Sequence, residues 1–401
     1  MRLRGKSSTE MKRSVQRALK TKPQAACRNE GKMAKYEPSH LKTMNTKIVF
    51  REFRSRSEEG LFINEIARIS KISVPTVMKI VEFLVKKELV RTEECTKTRV
   101  GRKPNMLKLN KDKYFSIGVI YEGDYLSLGI VDLAGNVYYY VQVRCGKHFE
   151  DSLIMNIDRL LEISGRKIND LIGIGIGMPC VFDKNKCEII APLLGIDEPQ
   201  YFGDKMEEIA ARYKTKVFVD NDLNIQAFGE YAYIKPDTKE DLIFISLGTG
   251  LGAGVIIDGK ARRGNRNICG EIGHMMFEYS EEDEKAGWLE NKINLKALEE
   301  RFGIVNGYVP SEEKQREAVE YVSEYLALLI NNLIFSYDVS NIVLSGPVIE
   351  ALGGGVIEQT QKKLDKICYR SLGIRQKKAP LPGISGAGLL AGNIWLDDLF
   401  R

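Results

Sequence analysis

The sequence predicts an α/β protein in which a small basic winged helix-turn-helix precedes a two-lobed body. Charge divides sharply along the chain: residues 1–110 hold 27 Lys/Arg against 11 Asp/Glu, and residues 111–401 hold 33 against 43. The front contains short amphipathic helices joined by a tight turn. The remainder contains two strand–glycine turn–strand signatures, Ile117-Gly118 leading to Gly129–Asn136 and Gly248 leading to Gly254–Lys260. That repetition marks a duplicated lobe.

At 401 residues, with 43% hydrophobic and 28% charged side chains, the chain has the make-up of a globular protein of two or three domains. No apolar run approaches the ~18–20 residues that cross a bilayer, and the basic N-terminus lacks the apolar stretch of a secretory signal. No membrane association is expected. The cysteines (Cys27, Cys95, Cys145, Cys180, Cys187, Cys269, Cys368) are scattered, odd in number and free of C-x-x-C pairs. Such usage suits reduced thiols in a cytoplasm. The overall charge of +6 hides a front of +16 and a body of −10, so nucleic acid is the expected partner of the front. Residues 1–40, with 11 basic side chains and no apolar period, are expected to form a solvated, disordered tail.

Residues 41–110 are the expected DNA-binding domain. From Asn45 the pattern is helical, with Ile48, Val49, Phe50 and Phe53 as its apolar stripe. A second helix fits Ile63–Ile69, with Ile63, Ile66 and Ala67 at i, i+3, i+4. In the third, Ser73 suits an N-cap and Pro75 sits in the first turn, where its missing N–H costs nothing. Val77, Ile80, Val81 and Leu84 then form the buried face, with Thr76, Met78 and Lys79 outward. Leu89–Thr92 and Met106–Leu109 can pair as strands around Lys97–Pro104, a cationic tip suited to the narrow minor groove of A·T-rich DNA. The expected DNA contacts are Ser73, Pro75, Thr76, Lys79, Arg99, Arg102 and Lys103, mostly to phosphates. A three-helix protein-docking module is the alternative, which the charge balance disfavours.

Residues 111–235 and 236–401 are the expected lobes, with a C-terminal helix packing back on the first. Two lobes, each opening with a strand–glycine turn–strand hairpin, suggest an actin-like, sugar-kinase-type (ribonuclease H-like) fold with a cleft between them. Leu242–His274 is the densest segment: a strand, Gly-Thr-Gly-Leu-Gly-Ala-Gly, a second strand, then Gly-Glu-Ile-Gly-His. Gly248, Thr249, Gly250 and Gly252 could cradle a phosphate through backbone N–H groups, although such glycines serve tight hairpins as often.

Gly173-Ile-Gly-Ile-Gly-Met-Pro179, Asn221-Asp222-Leu-Asn224 with Gly229-Glu230, the Gly248–Gly254 loop, Gly270–His274 and Gly386-Ala-Gly-Leu-Leu-Ala resemble, in order and spacing, the ROK family of repressors and sugar kinases. The similarity runs from about Leu41, and the helix-turn-helix places it with the xylose-repressor-like regulators. It implies sugar contacts at Asn221, Asp222, Glu271, His274 and Glu290. Acidic and imidazole groups around one point suit a polyol, and the alternative for Glu271 and His274 is a satisfied buried pair. In the family's kinases the Asp at position 222 is the general base.

The chain departs from that pattern in three places. Where kinases carry Asp-x-Gly-Gly-Thr for Mg²⁺ and phosphate, this chain has Ile120-Tyr-Glu-Gly-Asp124, so Glu122 and Asp124 are expected to place negative charge at the phosphate position. Where the family commonly binds zinc through the His and three Cys, His274 is followed by an acidic loop and Trp288 replaces the last Cys. No metal or other cofactor is expected. Pro179-Cys180 replaces a Pro-Gly pair, and Leu193 stands for a sugar-contacting Asn. The expected protein is a non-enzymatic, sugar-responsive transcriptional regulator, a homodimer or dimer of dimers on a palindromic double-stranded operator. An ATP-dependent sugar kinase that also binds DNA is the alternative, and a body serving only as a dimerisation scaffold is a third reading.

Overall fold

Two five-stranded sheets built on one strand plan form the body of the protein, seen here in a computed structural model. The structure describes residues 38–94, 105–145, 149–192, 195–234, 240–279, 287–305, 307–369 and 372–401. Residues Thr43–Arg401 pack as one unit.

The front consists of α1 (Pro38–Ser55), α2 (Ile63–Ser70), α3 (Val74–Lys86), β1 (Val90–Glu94) and β2 (Asn105–Leu109). α1 begins seven residues before the expected Asn45. Its Val49, Phe50 and Phe53 meet Ile66, Val77, Ile80, Val81 and Leu84 in a small core. α2 stops at Lys71, whose left-handed backbone (φ 58°) turns the chain into α3. Ser73 holds the N-cap backbone position without capping: its hydroxyl pairs with Thr76 Oγ1 at 2.8 Å instead of a helix amide. β1 and β2 pair antiparallel from Val90↔Leu109 to Glu94↔Asn105. Arg99, Arg102 and Lys103 lie outside the described residues.

The first lobe runs β3 (Phe115–Glu122), β4 (Tyr125–Asp132), β5 (Val137–Arg144), α4 (Phe149–Ser164), β6 (Leu171–Met178), β7 (Val181–Asp183), β8 (Glu188–Ala191), β9 (Ile196–Tyr201), α5 (Gly203–Tyr213), β10 (Val217–Asn221) and α6 (Asp222–Tyr233). Its main sheet has the order β10-β6-β3-β4-β5, and β7–β9 form a small separate sheet. The second lobe runs β11 (Leu242–Leu247), β12 (Leu251–Ile257), β13 (Lys260–Ala261), α7 (Glu290–Ile293), α8 (Leu295–Phe302), α9 (Glu312–Tyr337), β14 (Asn341–Ser345), α10 (Pro347–Leu352), α11 (Gly354–Ile367) and β15 (Gly373–Gln376). Read from its parallel edge, its order β15-β14-β11-β12-β13 reproduces the first sheet strand for strand. In each, three parallel strands carry an antiparallel meander on one edge. Helices cover both faces of the central strands, so β6 is buried along its whole length.

By length and composition α9 is long and apolar enough to cross a membrane, although charged and polar side chains interrupt its apolar stretch. Its Ala318, Val322, Leu326, Leu329, Ile330 and Leu333 instead lie in the core of the second lobe.

The last helix, α12 (Pro382–Phe400), packs on β3, β4, β6 and α6, all in the first lobe. Glycines on both partners permit backbone contact. A Cβ on Gly118 would lie 1.9 Å from Ile384 O, one on Gly175 2.0 Å from Ala387 O, and one on Gly229 1.8 Å from Pro382 O. The far end of α12 enters the winged-helix core, where Phe400 meets Phe50 and Phe83 edge-on at 5.6 and 6.3 Å. Thr43 Oγ1 donates to Phe400 O at 2.9 Å, and Arg54 Nη1 to Asn393 Oδ1 at 2.8 Å. Burial lowers the Arg54 pKa to about 10, against the opposing pull of Asp132.

Gly175→Ala is expected to destabilise the protein by about 3 kcal/mol or more, because backbone on both sides must move. Gly373→Ala, with nothing within 4 Å of the added carbon, is expected to stay within about 0.5 kcal/mol. Denaturant unfolding of the two variants checks the contrast.

Candidate functional site

Asn221 ends β10 and caps α6. Its Oδ1 accepts from Leu223 N at 3.0 Å and Asn224 N at 3.1 Å, while its Nδ2 donates to Cys180 O at 3.1 Å. The side chain expected to contact a sugar is thus engaged in fixing the helix that presents Asp222. Asp222 is 8% exposed. Burial raises its pKa to about 7, with Glu122 and then Glu271 adding repulsion. Cys180 faces the same carboxylates, and burial pushes its thiol well above its usual range, so it packs without thiolate chemistry.

In the second lobe Glu271 and His274 are both exposed and do not form a buried pair. Desolvation raises the Glu271 pKa, opposed by His274 and reinforced by Glu290. His274 Nδ1 accepts from Gly287 N at 2.9 Å. A neutral imidazole in that bond carries its proton on Nε2.

Glu290 turns into the glycine loop, where its Oε2 accepts from Leu251 N at 2.8 Å. The same oxygen lies 3.1 Å from where a Cβ on Gly250 or on Gly273 would stand. Gly248 N donates to Gly250 O at 2.9 Å, and Pro347 Cδ sits 3.0 Å from the Cβ position of Gly248. Thr249 is exposed, and Leu223 fills the space beside Gly252. Two of the loop's amides therefore have partners within the protein, one of them a carboxylate.

Ile120 is buried against Ile225, Ile384 and Ala387. Glu122 faces the second lobe: desolvation raises its pKa, Lys377 opposes this and Glu350 reinforces it. Asp124, expected beside the phosphates, pairs its carboxylate with Arg144 Nη2 at 2.9 Å. Leu193 falls outside the described residues.

Two buried carboxylates that sequence reasoning missed join the lobes. Asp220, 2% exposed, accepts from Arg263 Nε at 3.0 Å and from its Nη2, with Lys184 Nζ at 3.3 Å. Glu230, fully buried, accepts from Arg375 Nη1 at 2.5 Å, Lys378 N at 2.9 Å and Ala379 N at 2.8 Å. The available signal for Asp220 was its place in an otherwise apolar strand, two residues before Asp222.

Asp222 of the first lobe thus lies within electrostatic reach of Glu271 of the second, and Glu271 within reach of His274 and Glu290. Among the described residues, no group of three or more His, Cys, Asp or Glu is placed to hold a metal ion. Trp288 is buried between Phe277 and Tyr325.

A sequence model of the ROK family matches residues 116–396. The chain belongs to the ROK family. It is 24% identical over 354 residues to the xylose repressor of Bacillus subtilis (strain 168), covering 84% of this chain and 90% of that protein. Among solved structures it resembles a ROK family transcriptional regulator, a homolog of E. coli MLC protein, with TM-score 0.68, 18% identity, and 90% and 98% of the two chains covered. A ROK hexokinase from Thermus thermophilus matches with TM-score 0.56 and 20% identity, over 71% of this chain and 99% of that one. The hexokinase match covers a smaller share of this chain than the regulator match does. The α/β fold, with a helical front before two mixed-sheet lobes, is that of ROK structures.

Asp222 gives the site a pH signature. Its carboxyl titrates near 3.8 when unfolded and about 7 when folded. Between those values the folded state holds the extra proton, so this group's contribution to stability falls as pH rises from about 4 to 7. Asp222→Asn should flatten that slope and raise the melting temperature relative to the parent at pH 8. Parallel slopes for both proteins would show that Asp222 is ionised throughout.

Proposed function

We propose that this ROK protein is a sugar-responsive, DNA-binding transcriptional regulator, a repressor of carbohydrate-utilisation genes, in which the kinase-like cleft receives the effector. The carrying observation is α12, which packs on α6 beside Asp222 at one end and completes the winged-helix core at the other. A change in cleft closure that moves α6 therefore acts on a helix shared with the DNA-binding unit. Similarity to the xylose repressor supports the same reading. Asp222, Glu271, His274 and Glu290 are the proposed effector ligands, offering acceptors and an imidazole N–H to hydroxyl groups. The protein acts as a homodimer whose winged helices meet half-sites ~10 bp apart or a multiple of it. Ser73, Pro75, Thr76 and Lys79 on α3 are the proposed DNA contacts, and Arg99, Arg102 and Lys103, between β1 and β2 in the sequence, are the further proposed phosphate contacts. The setting is cytoplasmic.

Phosphoryl transfer is disfavoured by the cleft's charges. Glu290 occupies the mouth of the glycine loop, and Glu122 faces the cleft with no metal-holding Asp at Ile120. One phosphate charge ~4 Å from a carboxylate costs on the order of 4 kcal/mol at an effective dielectric near 20. Catalysis by positioning and electrostatics does not survive that sign.

An ATP-consumption assay over hexoses, pentoses and amino sugars is expected to show no sugar-dependent turnover, and turnover would favour the kinase reading. Glu271→Gln and His274→Ala should abolish the sugar response of operator binding while leaving sugar-free affinity within about twofold. If no sugar shifts either operator affinity or melting temperature, the body is a scaffold. Arg102→Ala with Lys103→Ala should reduce the salt slope of DNA binding by about 1.8, at ~0.9 per lost phosphate contact.

A further inference from the structure

α3 turns Val77, Ile80, Val81 and Leu84 inward. Its outward surface near the N-terminus combines Val74 (38% exposed), Pro75, Met78 (45% exposed) and Lys79. Between residues 45 and 109, Val74 and Met78 are the only large apolar side chains so exposed among the described residues. They stand four residues apart, so they adjoin on one face of the helix. The neighbouring hydroxyls of Ser73 and Thr76 are bonded to each other at 2.8 Å. Lys79 and, one turn on, Glu82 are the long polar groups of this face.

An apolar surface set against guanine, adenine or cytosine edges would strip water from polar atoms without replacing their hydrogen bonds. In the major groove only thymine adds a methyl group to its polar edge. The surroundings favour nucleic acid over an apolar protein surface: Arg68, Lys71, Lys79, Lys86 and Lys87 are all exposed on α2, α3 and their ends. Resting on the DNA-binding function proposed above, we infer that Val74, Pro75 and Met78 form an apolar reader of thymine C5-methyl groups in each operator half-site. Base selection by α3 then depends on methyl contacts, while the cations and the free amides at the start of α3 hold the phosphates.

The test uses the full chain. Duplexes are first selected from a random library, and the enriched half-site should carry thymines beneath the start of α3. Each is then replaced by deoxyuridine, which removes only the methyl. Loss of one buried methyl should weaken binding roughly fourfold. Met78→Ala should weaken binding to the thymine duplex and leave at least one thymine-to-deoxyuridine replacement without further effect. Met78 is exposed, so the variant is expected to fold.

Equal affinity for thymine and deoxyuridine duplexes would overturn the inference while leaving DNA binding intact. So would an unchanged deoxyuridine penalty in both Met78→Ala and Val74→Ala, or a selected half-site without thymine under α3. Failure to enrich any duplex would overturn the DNA-binding proposal itself, and this inference with it.

Discussion

Everything in the first lobe depends on how closely one helix approaches its neighbours. α12 lies against β3, β6 and α6 at backbone contact, made possible by glycines on the sheet, on α6 and on α12 itself, where a Cβ on Gly386 would lie 2.2 Å from Ile225 O. Such contact leaves little freedom to slide or rotate, because interiors packed at this density rearrange in discrete steps. Ser116 Oγ adds a buried hydrogen bond to Gly388 O at 2.7 Å. The position of α6, and so of Asp222 at its first turn, follows from that seat. The winged helix depends on it too, since Leu396 and Phe400 from the same helix close its core.

The lobes are joined by charge as well as by chain. Asp220 with Arg263 and Lys184, and Glu230 with Arg375, pair buried carboxylates with cations that keep part of their surface in water. Breaking such a pair leaves a buried charge behind, which is costly. Between these two clasps the cleft shows the opposite pattern. Beyond the effect of burial, Glu122 and Glu271 raise the Asp222 pKa and Glu290 adds to the rise at Glu271, while the cations Arg263 and Lys184 are paired with Asp220.

Much of the architecture was legible because it rests on patterns with a fixed period. The two hairpins predicted from Ile117-Gly118 and Gly248 became the central strands of two matching sheets, and the apolar positions of α3 were those found buried. Asp222 and Glu271, drawn from separate motifs, come within electrostatic reach of each other across the two lobes. What stayed hidden was the direction of individual side chains. Ser73 bonds Thr76 instead of an amide, Asn221 holds its own helix, Asp124 turns to Arg144 and Glu290 enters a loop far away in sequence. For Asp124 and Glu290 the deciding partner lies 20 and 39 residues away, and for Ser73 and Asn221 it is one of several local groups that spacing alone does not rank. Asp220 and Glu230 were missed for the same reason, since their cations lie 43 and 145 residues away.

The shared helix also imposes an order on synthesis. A chain emerging from the ribosome presents α1, α2 and α3 first, and N-terminal domains ordinarily fold as they appear. Here that unit stays open along the side that Leu396 and Phe400 cover, with Phe50 and Phe83 exposed, until nearly 400 residues have been made. A chain broken off anywhere in the body therefore lacks the two side chains that close the core of its front unit.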